Sequence, residues 1–457
     1  MTLQKSDHIR ENSSPFVSSE RDDEDEMIVH GKKKRSPFLW IPCLFAAEEI
    51  PTAMVTFVAL LMFIQFGSGT TRATLFVSLL LSPWMLKSFF RLKVKHAGHF
   101  KLWIHIIEFF IFVVLLGTAF YINDFHANYV GLLCCMFVIS LLCSWHNLVA
   151  RMYYEEILSP REQRIYRPTK HISTQASAVM TYGVLMIVVG FLEIFFRDIH
   201  RAWAMENYLV AGVFFIFFCF NLFFLPSPNA WQPYRYASLS HTIRKEMDSI
   251  ERLRTKPNAS RVLIYLFFLL LPQSLMLCPR VFFLLAPQDG GGLSCSLQDI
   301  GFAQGTIGII AFTAGAFLAR HLEKRYRFSR VFPLLAVVLT LSPLCYVFMS
   351  HFPPVGNLFI ISICSFVAQF CFGFGLHSCI LFVRFFSNDR YRNTTNLFYL
   401  PLIIGEMLIP IAASGWLSQH LGFVHYFLLD ASTAIIVWII ICRELKTKSF
   451  RTYISNN

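Results

Sequence analysis

Two adjacent carboxylates, Glu48 and Glu49, stand near the middle of an apolar run at 36–66, with Pro51 close behind. A run of that length and apolarity can cross a bilayer, which takes about 20 such residues. A charge at that depth costs roughly 3 kcal/mol on insertion scales, so an intramembrane acid faces a protein interior or a water-filled cavity. Pro51 removes one backbone hydrogen bond and kinks the helix. The chemistry that fits is proton coupling or solute binding on a helix lining a pathway. Neighbouring positions differ by about 100° around a helix, so at most one of the two acids points straight into a central cavity. The competing reading for each is a carboxylate that locks helices together.

Other polar residues inside apolar runs extend this set. Glu406, between Pro401 and Pro410, is a second candidate acid. Arg280, following Pro272 and Pro279, is the clear intramembrane cation. It could hold an anionic group of a solute or pair with Glu48 or Glu49. Gln369, beside Phe372-Gly373-Phe374-Gly375, places an amide on a flexible aromatic stretch that suits a solute cavity, against plain helix packing. His105 and Glu108 are three apart and could share a proton, but their place near a run's end favours a structural role. His146 and His377 read as packing histidines, and Tyr153, Tyr154 and Trp416 as interface anchors.

Enzyme constellations do not occur. There is no His-Glu-x-x-His, Gly-x-Ser-x-Gly, phosphate-binding glycine loop or Cys-x-x-Cys pair. Asp289-Gly290-Gly291-Gly292 has no following lysine and reads as a turn. The twelve cysteines lie mostly in apolar runs without zinc or redox spacing, so they read as small hydrophobes. No catalytic residue, metal or cofactor is expected.

The elements that must position these residues follow from composition. The 457-residue chain is 55% hydrophobic and only 15% charged, against roughly 25% charged in a soluble domain. It reads as an all-α integral membrane protein. Its formal charge of +12 does not imply nucleic acid, because the basic residues fall in short clusters between apolar runs. Twelve such runs can be counted, from about 38–66 and 71–90 to about 395–418 and 422–442. Basic residues alternate strictly from loop to loop, which predicts twelve transmembrane helices with both termini cytoplasmic. No cleavable signal peptide is expected. The long polar connection at 226–259 divides two six-helix halves, 36–225 and 260–443, flanked by a disordered cytoplasmic tail at 1–35 and a second tail at 444–457. Gly301, Gly305, Gly308 and Gly315 are expected on one face of the eighth helix, where they permit close packing.

These residues carry a resemblance. Ser36-Pro37-Phe38-Leu39-Trp40-Ile41-Pro42 with Glu48 and Pro51, then Pro83-Trp84-Met85-Leu86-Lys87, resemble AmpG-type permeases of the major facilitator superfamily. So do the Gly301 to Gly315 stretch, Gln369-Phe370-Cys371-Phe372-Gly373-Phe374-Gly375, Ser414-Gly415-Trp416-Leu417 and Leu421-Gly422-Phe423. The resemblance implies a major facilitator fold and a monomeric bacterial inner-membrane permease. Its partners would be the lipid bilayer, protons and a small solute of the muropeptide or siderophore kind, with a site near the midplane between the halves. By it, Glu48 matches the acid of a first-helix Glu-Gly-x-Pro pattern. The chain departs from that pattern at Glu49, which replaces a glycine, and at Asn147, Arg151 and Ala368, which replace acids; an acid is also absent from Phe89-Phe90-Arg91-Leu92-Lys93. Those losses raise an alternative, a degenerate paralogue that binds or scaffolds without transporting.

Overall fold

The computed structural model describes residues 35–87, 99–124, 128–227, 259–386 and 392–445. Most of the expected tails, most of the 226–259 connection and the basic residues Arg91, Lys93, Lys95 and Arg390 lie outside them. Among the described residues the regular structure is helical. Helix α1 (Pro37–Gln65) starts on Pro37, whose missing N–H costs nothing at a helix start. Gly67 and Gly69, with φ of 79° and 74°, reverse the chain into α2 (Thr70–Leu81), a conformation in which any side chain would be strained. Helices α3 (Phe100–Asp124), α4 (Tyr129–Ile157), α5 (Pro160–Phe196) and α6 (Ile199–Phe224) follow. Asn128 and Asp198 cap α4 and α6, and a Ser159–Glu162 capping box opens α5.

After the central connection, α7 runs over Ala259–Met276 and resumes as Pro279–Leu285. Helix α8 (Leu297–Arg325) starts at a Ser296–Asp299 capping box. Helix α9 comprises Phe328–Leu339 and Ser342–His351, and α10 spans Leu358–Phe386. The last helix, α11 (Arg392–Leu445), is broken at Gly422 (φ 71°, ψ 160°). The glycine run before α8 forms the expected turn, with Gly291 at φ 75°.

Ten helices among the described residues are long and apolar enough to cross a membrane. Two features separate ten from the expected twelve. Helix α2 has only 12 residues in its regular part. The expected runs at 395–418 and 422–442 are two helices that meet at the non-helical Gly422, and they count once among the ten. The fifth span, expected from 172, begins at Pro160 and so carries polar turns beyond its apolar part. Large apolar side chains are exposed all around the bundle, among them Phe195 (79%), Phe317 (72%) and Phe359 (74%). A surface of that kind requires a lipid solvent, so the chain is a multi-pass membrane protein.

Helices up to α6 pack mainly on one another, as do those from α7 onward. Arg35 bonds the Phe223 carbonyl, Lys101 the Leu225 carbonyl (2.7 Å) and Tyr153 the Pro226 carbonyl (2.5 Å). These bonds mark the end of the molecule where α1 begins and α6 ends. Between the two groups, α2 packs on α11 and α5 on α8. Along α2, Thr71 bonds Gln419 (2.9 Å), Thr74 the Ala412 carbonyl (3.1 Å) and Ser78 the Leu408 carbonyl (2.9 Å). Along α5, a Cβ on Gly183 would lie 2.4 Å from Thr306, and one on Gly305 only 1.9 Å from the Tyr182 carbonyl. One apolar core joins both groups at the end away from the termini; Tyr265, Phe332, Phe382 and Val437 belong to a second cluster confined to the later helices.

The four glycines of α8 do not share one neighbour. Gly301 and Gly305 meet α5, whereas Gly308 and Gly315 meet Gln369, Phe370 and Phe374 of α10. A π-helical stretch at Gly301–Ile307 widens the turn between the pairs and rotates the second onto α10. Because backbone faces backbone at Gly305, Gly305→Val should lower the melting temperature in detergent by an amount matching the ~1–3 kcal/mol of overpacking. Gly117→Val, where a Cβ meets nothing within 4 Å, should not. Equal melting temperatures would show that this contact contributes nothing.

Candidate functional site

Three of the helices at the middle of the bundle share an unusual feature. After the buried Pro51, α1 loosens into a π-helical stretch at Met54–Val58. Helices α5 and α8 do the same at Val179–Leu185 and Gly301–Ile307, and these two stretches pack on each other. In π-helical turns the backbone bonds reach one residue further and re-aim side chains, which is why such turns recur at functional sites. The polar residues they carry include Thr56, Tyr182 and Gln304.

On α1, the Thr52 hydroxyl donates to the Glu48 carbonyl (2.7 Å) and that of Thr56 to the Thr52 carbonyl (2.9 Å). The Thr56 hydroxyl also lies 2.9 Å from Tyr182 Oη, which joins α1 to α5. Among the described residues Arg280 makes no ion pair with Glu48 or Glu49, and its Nε is buried without a hydrogen-bond partner. Glu48, one position back on α1, turns elsewhere: its charge acts on Lys87 and Lys170. The one-residue offset thus separates the two acids as helix geometry requires.

The remaining candidates are placed differently. Gln369 does not line a cavity. It is 7% exposed and donates to Gln304 Oε1 (3.4 Å), while Gln304 donates to Tyr346 Oη and Ser365 Oγ (2.8 Å each). That sealed amide network ties α8, α9 and α10. The charge of Arg280 acts on Tyr346, so the network backs the arginine. Glu406 stands apart on the seam of α11 with α2, next to Gly405, where a Cβ would meet Met85 at 2.6 Å; its Oε2 is buried without a partner.

Other buried polar residues hold the early helices together. Glu108, which could have shared a proton with His105, accepts from His146 Nε2 (3.1 Å) and Asn221 Nδ2 (2.7 Å), all fully enclosed between α3, α4 and α6, a structural role. His105 sits a turn away with both ring nitrogens unbonded. His377 pairs with Glu323 (2.6 Å). Tyr153 and Tyr154 are buried packing residues rather than interface anchors, because their rings stack edge-on against Trp40. Trp416 is half exposed, as an anchor should be. Sequence reasoning passed over Tyr182, Thr56 and Gln304, whose importance comes from π-helical turns with no sequence signature. It also passed over Glu206 and Asp430, fully buried acids that the search for charges inside apolar runs should have found. A groove of about 490 Å³ lined by Phe302, Phe359 and Phe366 is apolar and lies on the lipid-facing side of α8 and α10, away from these groups.

No protein-family model matches the chain, and no curated protein matches it. Solved structures do. The nucleoside transporter NupG superposes with a TM-score of 0.65 at 14% identity, covering 90% of this chain and 99% of that one. A bacterial homologue of the human lysosomal transporter Spinster, inward-facing and unoccupied, gives 0.62 at 13% identity over 94% and 99%. A D-xylose–proton symporter gives 0.59 at 12% identity over 88% and 95%.

If the enclosed network is architecture and Arg280 is not, stability should separate them. Glu108→Leu strands His146 and Asn221 and should lower the melting temperature in detergent, since breaking a buried pair costs ~3–5 kcal/mol. Arg280→Met should leave it near that of the wild type. The reverse order would contradict this division. By architecture and by these superpositions, the chain has the major facilitator fold.

Proposed function

We propose that the protein is a secondary transporter that moves a small organic solute, anionic in character, through the bilayer by alternating access, with proton coupling. The observation that carries this reading is the set of buried polar atoms without partners inside the bundle, Glu48 Oε2 on α1 and Arg280 Nε on α7, with α1 joined to α5 by the Thr56–Tyr182 hydroxyl contact (2.9 Å). Arg280 makes no ion pair with Glu48 or Glu49 among the described residues and its Nε is buried without a partner, which leaves it available to a ligand. The fold supports the class: neighbours of this shape include a nucleoside transporter and a sugar–proton symporter. In this reading the chain has twelve spans in two six-helix halves, and acts as a monomer in a bacterial inner membrane with both termini cytoplasmic.

The α2–α11 and α5–α8 contacts then close the outer side, and the cavity opens toward the cytoplasm. Glu48, Glu49 and Arg280 form the coupling and binding set. Glu406 joins it only if the halves rearrange, and Gln369 serves it through Gln304. A solute of the muropeptide or siderophore kind fits the AmpG-type resemblance. The missing acids keep one rival in play, a paralogue that binds without transporting.

Proteoliposomes under an imposed proton gradient, tested with muropeptides, siderophores and small anionic metabolites, check the proposal. Gradient-driven uptake of one solute, abolished in Glu48→Gln with Glu49→Gln while the fold is intact, is the expected result. A solute that binds the purified protein yet is never taken up would establish the binding-only paralogue.

A further inference from the structure

Ser362 of α10 is 7% exposed, and among the described residues its Oγ has no hydrogen-bond partner. Three residues on, the hydroxyl of Ser365 accepts from Gln304 Nε2 (2.8 Å). Ser378, Ser414 and Ser418 turn their hydroxyls back onto the carbonyl three residues earlier (2.7–3.0 Å). Ser362 does neither. The hydrocarbon region holds no water, so a hydroxyl left unpaired there is costly.

The same serine lies in the apolar groove between α8 and α10, whose volume of about 490 Å³ falls in the range of small-molecule sites. Phe359, Ile363 and Phe366 of α10 and Phe302 of α8 line it beside Ser362, and all four are exposed on the lipid-facing side. On α10, Phe359, Ser362 and Phe366 share one face, at helical spacings of three and four. Both walls are braced. Phe302 belongs to the π-helical stretch whose Gly305 is locked against the α5 backbone. The ring of Phe366 stacks on that of Phe370, with centroids 6.2 Å apart. The groove is therefore a fixed shape rather than a gap between loose side chains.

Depth decides what can fill it. Helices α8 and α10 both begin at the end of the bundle away from the start of α1. With 29 residues, α10 is about 44 Å long, the thickness of a bilayer with its headgroup layers. Ser362, four residues in, lies about 6 Å inside that end, and Phe302, five residues into α8, about 8 Å. The headgroup layer is roughly 5–8 Å deep on each face, so both residues stand where it gives way to hydrocarbon. The acceptors at that level are the ester carbonyls of phospholipids, and the tails below carry none. Neither 297–307 nor 358–366 contains a lysine or arginine, so nothing there selects an anionic headgroup.

We propose that this groove holds an acyl chain of a diacyl phospholipid, with the Ser362 hydroxyl donating to the ester carbonyl at the head of that chain. The chain then runs past Phe359, Ile363 and Phe366 toward the bilayer centre. The site stands on the membrane-spanning fold and not on the transporter reading. Its occupant covers the outer side of the stretch of α8 whose inner side meets α5.

The full-length protein, purified and delipidated in detergent, is titrated with dioleoyl phosphatidylcholine and with its ether-linked analogue. The analogue keeps the chains and headgroup and lacks both carbonyls. Native mass spectrometry counts bound lipid, and the melting temperature is followed, because a ligand that binds only the folded state raises it saturably. Wild type should retain the ester lipid roughly threefold more tightly than the ether lipid, the worth of one hydrogen bond inside a membrane. Ser362→Ala should bind both lipids equally, at the ether-lipid level. Ile363→Trp, which fills the groove from an exposed position, should retain neither. Ile439→Trp, at an exposed apolar position on α11, should behave as wild type. Unliganded size-exclusion profiles establish that each variant is folded.

Equal affinity of wild type for the two lipids, or an ester preference that survives Ser362→Ala, overturns the proposal. Undiminished retention by Ile363→Trp, or an equal loss in Ile439→Trp, would mean that lipid adheres to the bundle surface at large and overturns it as well.

Discussion

The arrangement depends on the close approach of α5 and α8. Their backbones touch where Gly183 meets Thr306 and where Gly305 meets the Tyr182 carbonyl, and no side chain fits between them. In lipid, apolar burial does not hold helices together, so association falls to van der Waals contact and hydrogen bonds between close backbones. The same contact positions chemistry. Both helices are π-helical at this point; Tyr182 there meets Thr56 of α1, and Gln304 bonds Tyr346 and Ser365 of α9 and α10. Packing and site are therefore built by one local feature.

Polar groups in the bundle divide into two kinds. Some are spent on structure: Glu108 with His146 and Asn221, and Gln304 with Tyr346, Ser365 and Gln369. Others retain unused hydrogen-bonding capacity: Glu48 Oε2, Arg280 Nε and Glu406 Oε2 are buried without partners. Leaving such atoms unpaired away from water is costly, and the first two sit on α1 and α7. A solute that bonds both would link the two helix groups through itself. Its binding energy could then bias one packing of the groups over another.

Much of the fold was legible in the sequence, because apolar runs separated by basic loops leave little choice of architecture. The Pro51 kink and the acids beside it were legible for the same reason. Helix ends were less so. At Gly422 a single residue with positive φ separates the two expected runs with no loop between them, so the chain turns from one helix straight into the next. Partner choice was least legible. Glu108 could reach His105 on its own helix, but it pairs with His146 across the interface. Gln369 looked like a lining residue until Gln304, swung round by a π-helical turn, took up its amide. Such choices depend on which faces meet, and spacing along one helix does not encode that.

Closure at the end away from the termini is the central structural claim, and the α2–α11 seam tests it most directly. Thr71 and Gln419 touch there at 2.9 Å. In a variant lacking the native cysteines, Thr71→Cys and Gln419→Cys can be joined by a short bis-methanethiosulfonate and released by dithiothreitol. If the two groups must part at this end for a solute to enter, the cross-linked protein will bind the solute but not take it up, and reduction will restore uptake. Undiminished uptake with the cross-link in place would contradict it.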